Sequence, residues 1–543
     1  MEQAGRGRRR VAGMTIPLFS VRSGGDWGIG EFPDLVALGG LCSDAGLGLV
    51  QVLPLGEIAR GETSPYAALS AFGLDPMYIG WDAVEDLPVE ARAAALGVEG
   101  AAQLARARAD DRVDYETVRG LKARALDAAW ARFRDQELAR GSARARQFAA
   151  FCAREAAWLD GLAMFRVLKD AHGQRPWWEW EPALRDREGS ALDVARDVHA
   201  DALGRQCYAQ WVAHTQWDGA RAALRDRGIE VMGDLPFMVG RDSADVWAER
   251  GQFRDDASVG VPADQFDPDG QEWGLPPYRW DAMRDNGFHW LRRRARYAGE
   301  RYDRFRIDHL VGFFRTYMRD VGRQRSPEGR LLPGYFDPAQ EPAQRAHGVA
   351  VIGAMQSAAG EVGADLVAED LGSVPDYVRP ALAELDVPGY KVLVWERDGG
   401  VYRDPAGYPA RSVACFGTHD TDPVVVWWES LSDSERAAVL RLPPMAEASR
   451  GQWWGREFSP EVHDALIGLL ARAQSELVLF LAQDVLGLRD RINVPGTVGP
   501  HNWTWRLPAP VDALRSDPAV RGRLARVAAR VAEAGRATPP KGL

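Results

Sequence analysis

Apolar runs of strand length recur along this chain with helical stretches between most of them, and this alternation limits the fold more than any other feature. Eight runs are read as strands, at 14–21, 47–55, 229–237, 302–309, 365–372, 390–396, 412–420 and 489–497. Strands alternating with helices predict a parallel sheet, and eight of them predict a (β/α)8 barrel, the TIM barrel. The run at 47–55 is nearly continuous in apolar residues, as strands covered on both faces are. The run Tyr302-Asp303-Arg304-Phe305-Arg306-Ile307-Asp308-His309 alternates instead, with Phe305 and Ile307 set between Arg304 and Arg306. That period of two puts Arg306 and Asp308 on one face.

One long interval departs from the rhythm. From 84 to 226, Ala, Arg and Leu dominate, and Phe148, Phe151, Trp158, Leu159, Leu162, Phe165 and Leu168 fall three or four apart, one face of a helix. The interval is expected to be a mainly helical insert in a catalytic barrel spanning 9–507, followed by a helical extension at 508–543. Trp177-Trp178-Glu179-Trp180 interrupts it with a loop whose indoles serve packing or a sugar platform, with packing preferred. The glycines at 24–30 lack the spacing of a dinucleotide-binding turn.

Composition narrows the function. The chain carries a net charge of −10, which is not the basic footprint of a nucleic-acid binder. Its basic run, Arg6 to Arg10, is read as a frayed end, with a disordered tail at 1–8, and not as a secretion signal. No apolar run approaches a membrane span. Cys42, Cys152, Cys207 and Cys415 have neither metal-ligand nor redox spacing, which suits reduced thiols in a cytoplasmic protein.

Three acids, Asp308, Glu369 and Asp420, each fall at the carboxyl end of a different predicted strand, and in a barrel those ends converge on one rim. Arg306 and His419 lie at the same depth. Arg306 beside Asp308 favours a charged, held carboxylate, which can act as a nucleophile; the alternative is a surface Arg–Asp pair at a strand end. Three carboxylates facing one cleft serve either a metal or glycosidic-bond chemistry. No calcium-loop pattern is present, Asp267-Pro268-Asp269-Gly270 lacks the remaining ligands, and Arg306 competes with a cation, so no metal and no cofactor are expected. The glycosidic reading makes Asp308 the nucleophile and Glu369, with a raised pKa, the general acid and then base. Asp420 would bind sugar hydroxyls and keep Glu369 protonated by like-charge repulsion.

Five ordered motifs carry a family resemblance: Gly233-Asp234-Leu235-Pro236, Phe305-Arg306-Ile307-Asp308-His309, Ala368-Glu369-Asp370-Leu371-Gly372, Gly417-Thr418-His419-Asp420 and Asn493-Val494-Pro495-Gly496-Thr497. With Asp26-Trp27-Gly28-Ile29-Gly30, Ser64-Pro65-Tyr66 and Gln271-Glu272-Trp273-Gly274, the chain resembles the 4-α-glucanotransferases called amylomaltase or disproportionating enzyme, glycoside hydrolase family 77, over about 9–507. The resemblance implies an α-amylase-type barrel with helical insertions and no carboxyl-terminal β-domain. It implies transfer between α-1,4-glucans or maltooligosaccharides, in a monomer or homodimer. Asp308 matches the family's nucleophile, Glu369 its acid/base and Asp420 its transition-state stabiliser. Arg306, His419 and Asp234 match residues around the donor sugar, Tyr66 and Trp273 match aromatics of the glucan groove, and Asn493 matches a position in the last motif. The chain departs from the family where Trp-Gly-Asn-Pro-Leu-Tyr is common, reading Trp273-Gly274-Leu275-Pro276-Pro277-Tyr278, and at Glu62-Thr63 before Ser64. Leu275 offers no amide hydrogen bonds. An α-glucan hydrolase using the same acids, with water exclusion governed by a lid at 254–280, and a glucan-binding protein without catalysis are the alternatives.

Overall fold

The computed structural model describes residues 9–263, 270–327 and 329–538. The expected tail at 1–8, the residues Asp267, Pro268 and Asp269, and positions 539–543 lie outside the described residues. Eight parallel strands close into a barrel: β1 (Val11–Thr15), β2 (Leu49–Gln51), β3 (Glu230–Leu235), β4 (Arg304–Ile307), β5 (Asp365–Ala368), β6 (Gly389–Val392), β7 (Ser412–Cys415) and β8 (Leu477–Leu481). Their order around the barrel is β1-β8-β7-β6-β5-β4-β3-β2. Sequential strands are neighbours throughout, as right-handed βα connections require.

Two strand expectations are corrected. The eighth strand is Leu477–Leu481, not 489–497. All five of its residues are buried, and it pairs with β1 on one side and β7 on the other. The first strand lies earlier than 14–21: it ends at Thr15, and Pro17 leads into the short turn Leu18–Ser20. The end of the basic run is not frayed either. Arg9 Nη2 donates to Ala537 O at 3.0 Å, and Arg10 Nη2 donates to Ala473 O at 2.5 Å.

Between β2 and β3 the chain is mainly helical, with long helices Val89–Ala109, Tyr115–Phe133, Ala143–Ala171 and Ala200–Asp226. Asp114 and Ser142 cap the second and third by accepting from the N–H groups of Thr117 and Ala145, each such cap contributing roughly 1 kcal/mol. The seven apolar positions read as one face of a helix, Phe148 to Leu168, are all buried. Trp177 and Trp180 are buried too, Trp180 against Phe165 and Trp247, so packing accounts for those two indoles.

Above the rim the stretch at 254–280 is not a simple loop. Its strands Ala257–Val261 and Gln271–Glu272 join Thr316–Asp320 and Tyr335–Asp337 in a four-stranded sheet. After residue 507 the described chain holds helices Val511–Ser516 and Pro518–Glu533 and no strand. The last helix buries Leu524, Val527 and Val531 and packs beside helix Pro460–Ala471. No described helix is long and apolar enough to cross a membrane.

Candidate active site

The site is assembled from the carboxyl ends of neighbouring strands, and the register of β3 and β4 sets its floor. Asp234 is paired with Arg306 across the two strands, so both side chains leave the sheet on one face at one height. Arg306 Nη1 donates to Asp234 Oδ2 at 2.6 Å, and Nη2 donates to Asp308 Oδ1 at 2.7 Å. The guanidinium thus bridges a carboxylate that is fully buried and one whose side chain keeps 27% of its surface exposed. Burial opposes the charge on Arg306, but Asp234 and Asp308 outweigh it and hold the guanidinium well above its ordinary pKa.

Glu369 follows β5 by one residue, and the β4–β5 pairing runs on past the last ladder pair, Ile307 with Ala368. Glu369 N donates to Ile307 O at 3.0 Å, and Leu310 N donates to Glu369 O at 3.2 Å. Asp308 and Glu369 are therefore level on adjacent strands. The Glu369 carboxylate accepts from His309 N at 2.7 Å and Leu371 N at 3.0 Å. His309 reaches that position with φ 43°, the left-handed region that side chains rarely adopt. Burial pushes Glu369 up to about 7, against the pull of Arg306, and Asp308 adds a like charge. The like charge expected from Asp420 is thus supplied by Asp308. Burial also lowers His309, so its ring is a neutral aromatic surface. Trp273 meets it edge-on at 5.0 Å between centroids, and Phe237 lies at 5.4 Å.

Tyr66 joins the two halves of the site. Its hydroxyl donates to Asp234 Oδ2 at 2.7 Å and accepts from Arg306 Nη1 at 3.2 Å. His419 Nε2 lies 3.2 Å from the same oxygen, and because the Tyr66 proton is directed at Asp234, that nitrogen carries the hydrogen. The Tyr66 ring stacks on His419 at 5.6 Å and lies 5.7 Å from Trp503. Burial, and then the charge of Asp234, raise the Tyr66 hydroxyl well above its ordinary value, so it remains a donor.

Asp420 sits beyond the end of β7. Its Oδ1 accepts from Asn493 Nδ2 at 2.6 Å, and its Oδ2 is 3.3 Å from His419 Nε2. The turn that carries it requires glycine at 417, where a Cβ would lie 1.9 Å from Thr421 Oγ1. All nine residues singled out from the sequence are brought together: Asp234, Arg306, Asp308, Tyr66, His419, Asp420 and Asn493 by direct contacts, Glu369 through His309 N, and Trp273 through the His309 ring. Sequence reading passed over Trp503 and Arg491, which complete the wall at Tyr66 and Asp420. The only signal for them was adjacency to motifs, since Arg491 lies two residues before Asn493. Among the described residues, no group of three or more His, Cys, Asp and Glu is arranged to hold a metal ion.

A closed parallel barrel with three carboxylates, a bridging arginine and an aromatic wall at its carboxyl rim defines an enzyme of the glycosidic-bond class. The chain belongs to the 4-alpha-glucanotransferase family, glycoside hydrolase family 77, whose model matches residues 16–512. It is 35% identical over 474 residues to the 4-alpha-glucanotransferase of Thermus thermophilus, covering 84% of this chain and 87% of that protein. Identity to the Synechocystis sp. 4-alpha-glucanotransferase is 32% over 498 residues, covering 89% and 90%. Among solved structures, amylomaltase from Streptococcus agalactiae in complex with acarbose superposes with a TM-score of 0.78 at 25% identity, covering 98% of this chain and all (100%) of that one. The amylomaltase of Corynebacterium glutamicum shares the fold, with a TM-score of 0.76 at 23% identity over 97% of this chain and 75% of that one. The protein is thus a 4-alpha-glucanotransferase.

Proposed function

We propose that this enzyme transfers a segment of an α-1,4-glucan to the 4-hydroxyl of an acceptor glucan or glucose by a retaining double displacement. The observation that carries the mechanism is the level placement of Asp308 and Glu369 on adjacent parallel strands. Strands lie about 4.8 Å apart, close to the ~5–5.5 Å carboxyl separation of retaining enzymes and short of the spacing that admits a water between the acids.

In the first step Asp308 attacks the anomeric carbon and forms a glycosyl ester. The glycosidic C–O bond breaks, and Glu369 gives its proton to the departing oxygen. Its raised pKa, about 7, keeps that proton available near neutrality. In the second step the acceptor 4-hydroxyl attacks the same carbon, its proton passes to Glu369, and Asp308 leaves as carboxylate. Two inversions give α-products. Asp420 stabilises the charge that develops on the sugar ring in both steps. Tyr66, Asp234, Arg306, His419 and Asn493 surround the donor sugar, while the indole of Trp273 and the ring of Tyr66 cover the groove. An acceptor held there competes with bulk water for the ester. Maltooligosaccharides and α-1,4-glucans are the substrates, and the binding of acarbose by the Streptococcus relative supports a sugar site of this kind. The four free thiols suit a cytoplasmic setting.

An NMR time course on maltotriose tests this reading. Longer chains with new α-linkages are expected. New β-linkages would remove Asp308 as nucleophile, and glucose and maltose without longer chains would make the protein a hydrolase.

A further inference from the structure

Residues 489–497, expected as a barrel strand, instead lie as a strap beside the loop that carries Asp420, and we propose that Arg491 in this strap is a positioning residue for Asp420. The inference rests on the reading of Asp420 as the transition-state stabiliser. Asp420 lies five residues past the last residue of β7, Cys415, so no sheet ladder fixes it. Its side chain is 38% exposed, so packing does not fix it either. Within its own loop the restraints are local: Thr418 N donates to Thr421 Oγ1 at 3.0 Å, and Asp420 N donates to Thr418 Oγ1 at 3.3 Å.

The strap supplies the rest. Arg491 Nη2 donates to the Asp420 carbonyl at 2.5 Å, Nη1 donates to Asp422 Oδ1 at 3.2 Å, and Nε donates to Asn493 O at 3.3 Å. One planar group therefore holds the backbone at Asp420, a carboxylate two residues on, and the residue whose amide reaches Asp420 Oδ1. Asn493 N completes the join by donating to His419 O at 3.2 Å. The strap has its own anchor. Asn502 Oδ1 accepts from Val494 N at 2.9 Å, its Nδ2 donates to Thr497 O at 2.8 Å, and Trp503 N donates to Ile492 O at 2.9 Å. Catalytic groups must be held to about 0.5 Å to act fully, and a fork of fixed donors does this where a lysine point charge does not. The Arg491 side chain is 30% exposed, so its removal opens no core cavity.

The test is a set of variants assayed on maltotriose and on α-maltosyl fluoride, whose fluoride leaves without a proton from Glu369. Arg491→Ala is expected to lower kcat about 30-fold on both donors, with KM changed less than threefold, and Arg491→Lys to recover only part of the loss. In an Asp420→Asn background, adding Arg491→Ala should cost less than twofold, because both changes act through one carboxylate. Wild-type kcat in Arg491→Ala overturns the inference, as does a loss confined to maltotriose or a full further loss in the Asp420→Asn background. Wild-type activity in Asp420→Asn alone would instead bring down the role of Asp420 on which the inference stands. Thermal melts of each variant separate displacement of Asp420 from general unfolding.

Discussion

Two buried arginines mark the two ends of the barrel, and they are held in opposite ways. Arg306, at the carboxyl rim, meets two carboxylates and a tyrosine hydroxyl. Arg536, at the amino end, is fully buried and among the described residues meets only backbone carbonyls, those of Ala471 at 2.7 Å, Ser475 at 2.6 Å, Glu476 at 3.2 Å, Val11 at 3.3 Å and Ala473. Carbonyl dipoles do not change during turnover, so the lower arginine can be fitted to one fixed state. In the proposed mechanism one of the upper arginine's partners becomes an ester and then a carboxylate again. The rim therefore cannot be fitted to the resting enzyme alone, and substitutions there should alter rate, whereas those at the amino end should alter stability alone.

The largest test of this contrast is Asp308→Asn, which keeps shape and removes the attacking charge. Transfer should fall by about a thousandfold or more, with the melting temperature within about two degrees of the parent. A collapsed melting curve with near-normal specific activity would reverse the roles of the two ends. Arg306→Gln should come next, at about a hundredfold in kcat. Unlike Asp308→Asn it should also cost about 3 kcal/mol in urea unfolding, because Asp234 is left buried without its cation. A loss of rate with no loss of stability would show that Asp234 is satisfied by other groups.

A third, smaller effect is in pH. Because Glu369 must hold a proton for the first step and titrates near 7, kcat under conditions where that step limits should drop about fivefold between pH 7 and 8. The same shift has a stability sign. The folded state binds this proton more tightly than the unfolded chain, whose value is near 4.5, so the contribution is full below 4.5 and is lost as pH rises to about 7. Relative to Glu369→Gln, the parent should therefore weaken in urea melts between pH 5 and 7.5. A parallel course for the two proteins would place Glu369 outside the buried charge network.

These regions also differ in how openly the sequence displays them. The rim was legible because its residues are polar at strand ends, where polarity is conspicuous: Asp308 and Glu369 each close an apolar run. The amino end was not. Leu477–Leu481 is an apolar run soon after the apolar helix Pro460–Ala471, and the acid that follows it, Asp484, stands three residues on and is itself followed by the apolar Val485 and Leu486. Periodicity alone cannot separate such a run from a buried helix segment. The strap at 489–497 drew the strand assignment because it bears the Asn493 motif. The sheet above the rim was illegible for another reason: Ala257–Val261 pairs with Thr316–Asp320, some sixty residues on, and no local pattern encodes a pairing at that distance. Arg536 looked like one more arginine in a tail, since its acceptors lie at Val11 and at 471–476, two parts of the chain remote from it and from each other.

Arg536→Ala is the smallest expected effect on activity and the sharpest control on the comparison. Removing the guanidinium takes the donor from the carbonyls of Ala471 and Ser475, just before β8 begins, while Glu476 O keeps its bond from Val11 N at 2.8 Å; each unmatched buried acceptor costs about 1 kcal/mol or more. Arg10 already donates to Ala473 O and Ala534 O and can cover part of the loss, which brings the expected cost to about 3 kcal/mol. For a chain of 543 residues, with unfolding entropy near 2.1 cal/mol/K per residue, that is a fall of about three degrees in melting temperature. Nothing at the rim is bonded to Arg536, and β1 and β8 carry none of the acids, so kcat and KM measured well below the melt should match the parent. A large change in kcat in a variant that is still folded would mean that the amino ends of β1 and β8 set the geometry at Asp420, through the β7–β8 pairing at Val413, Ala414 and Cys415. In that event the two ends of the barrel would form one mechanical unit, and the separation of stability from chemistry drawn from the two arginines would fail.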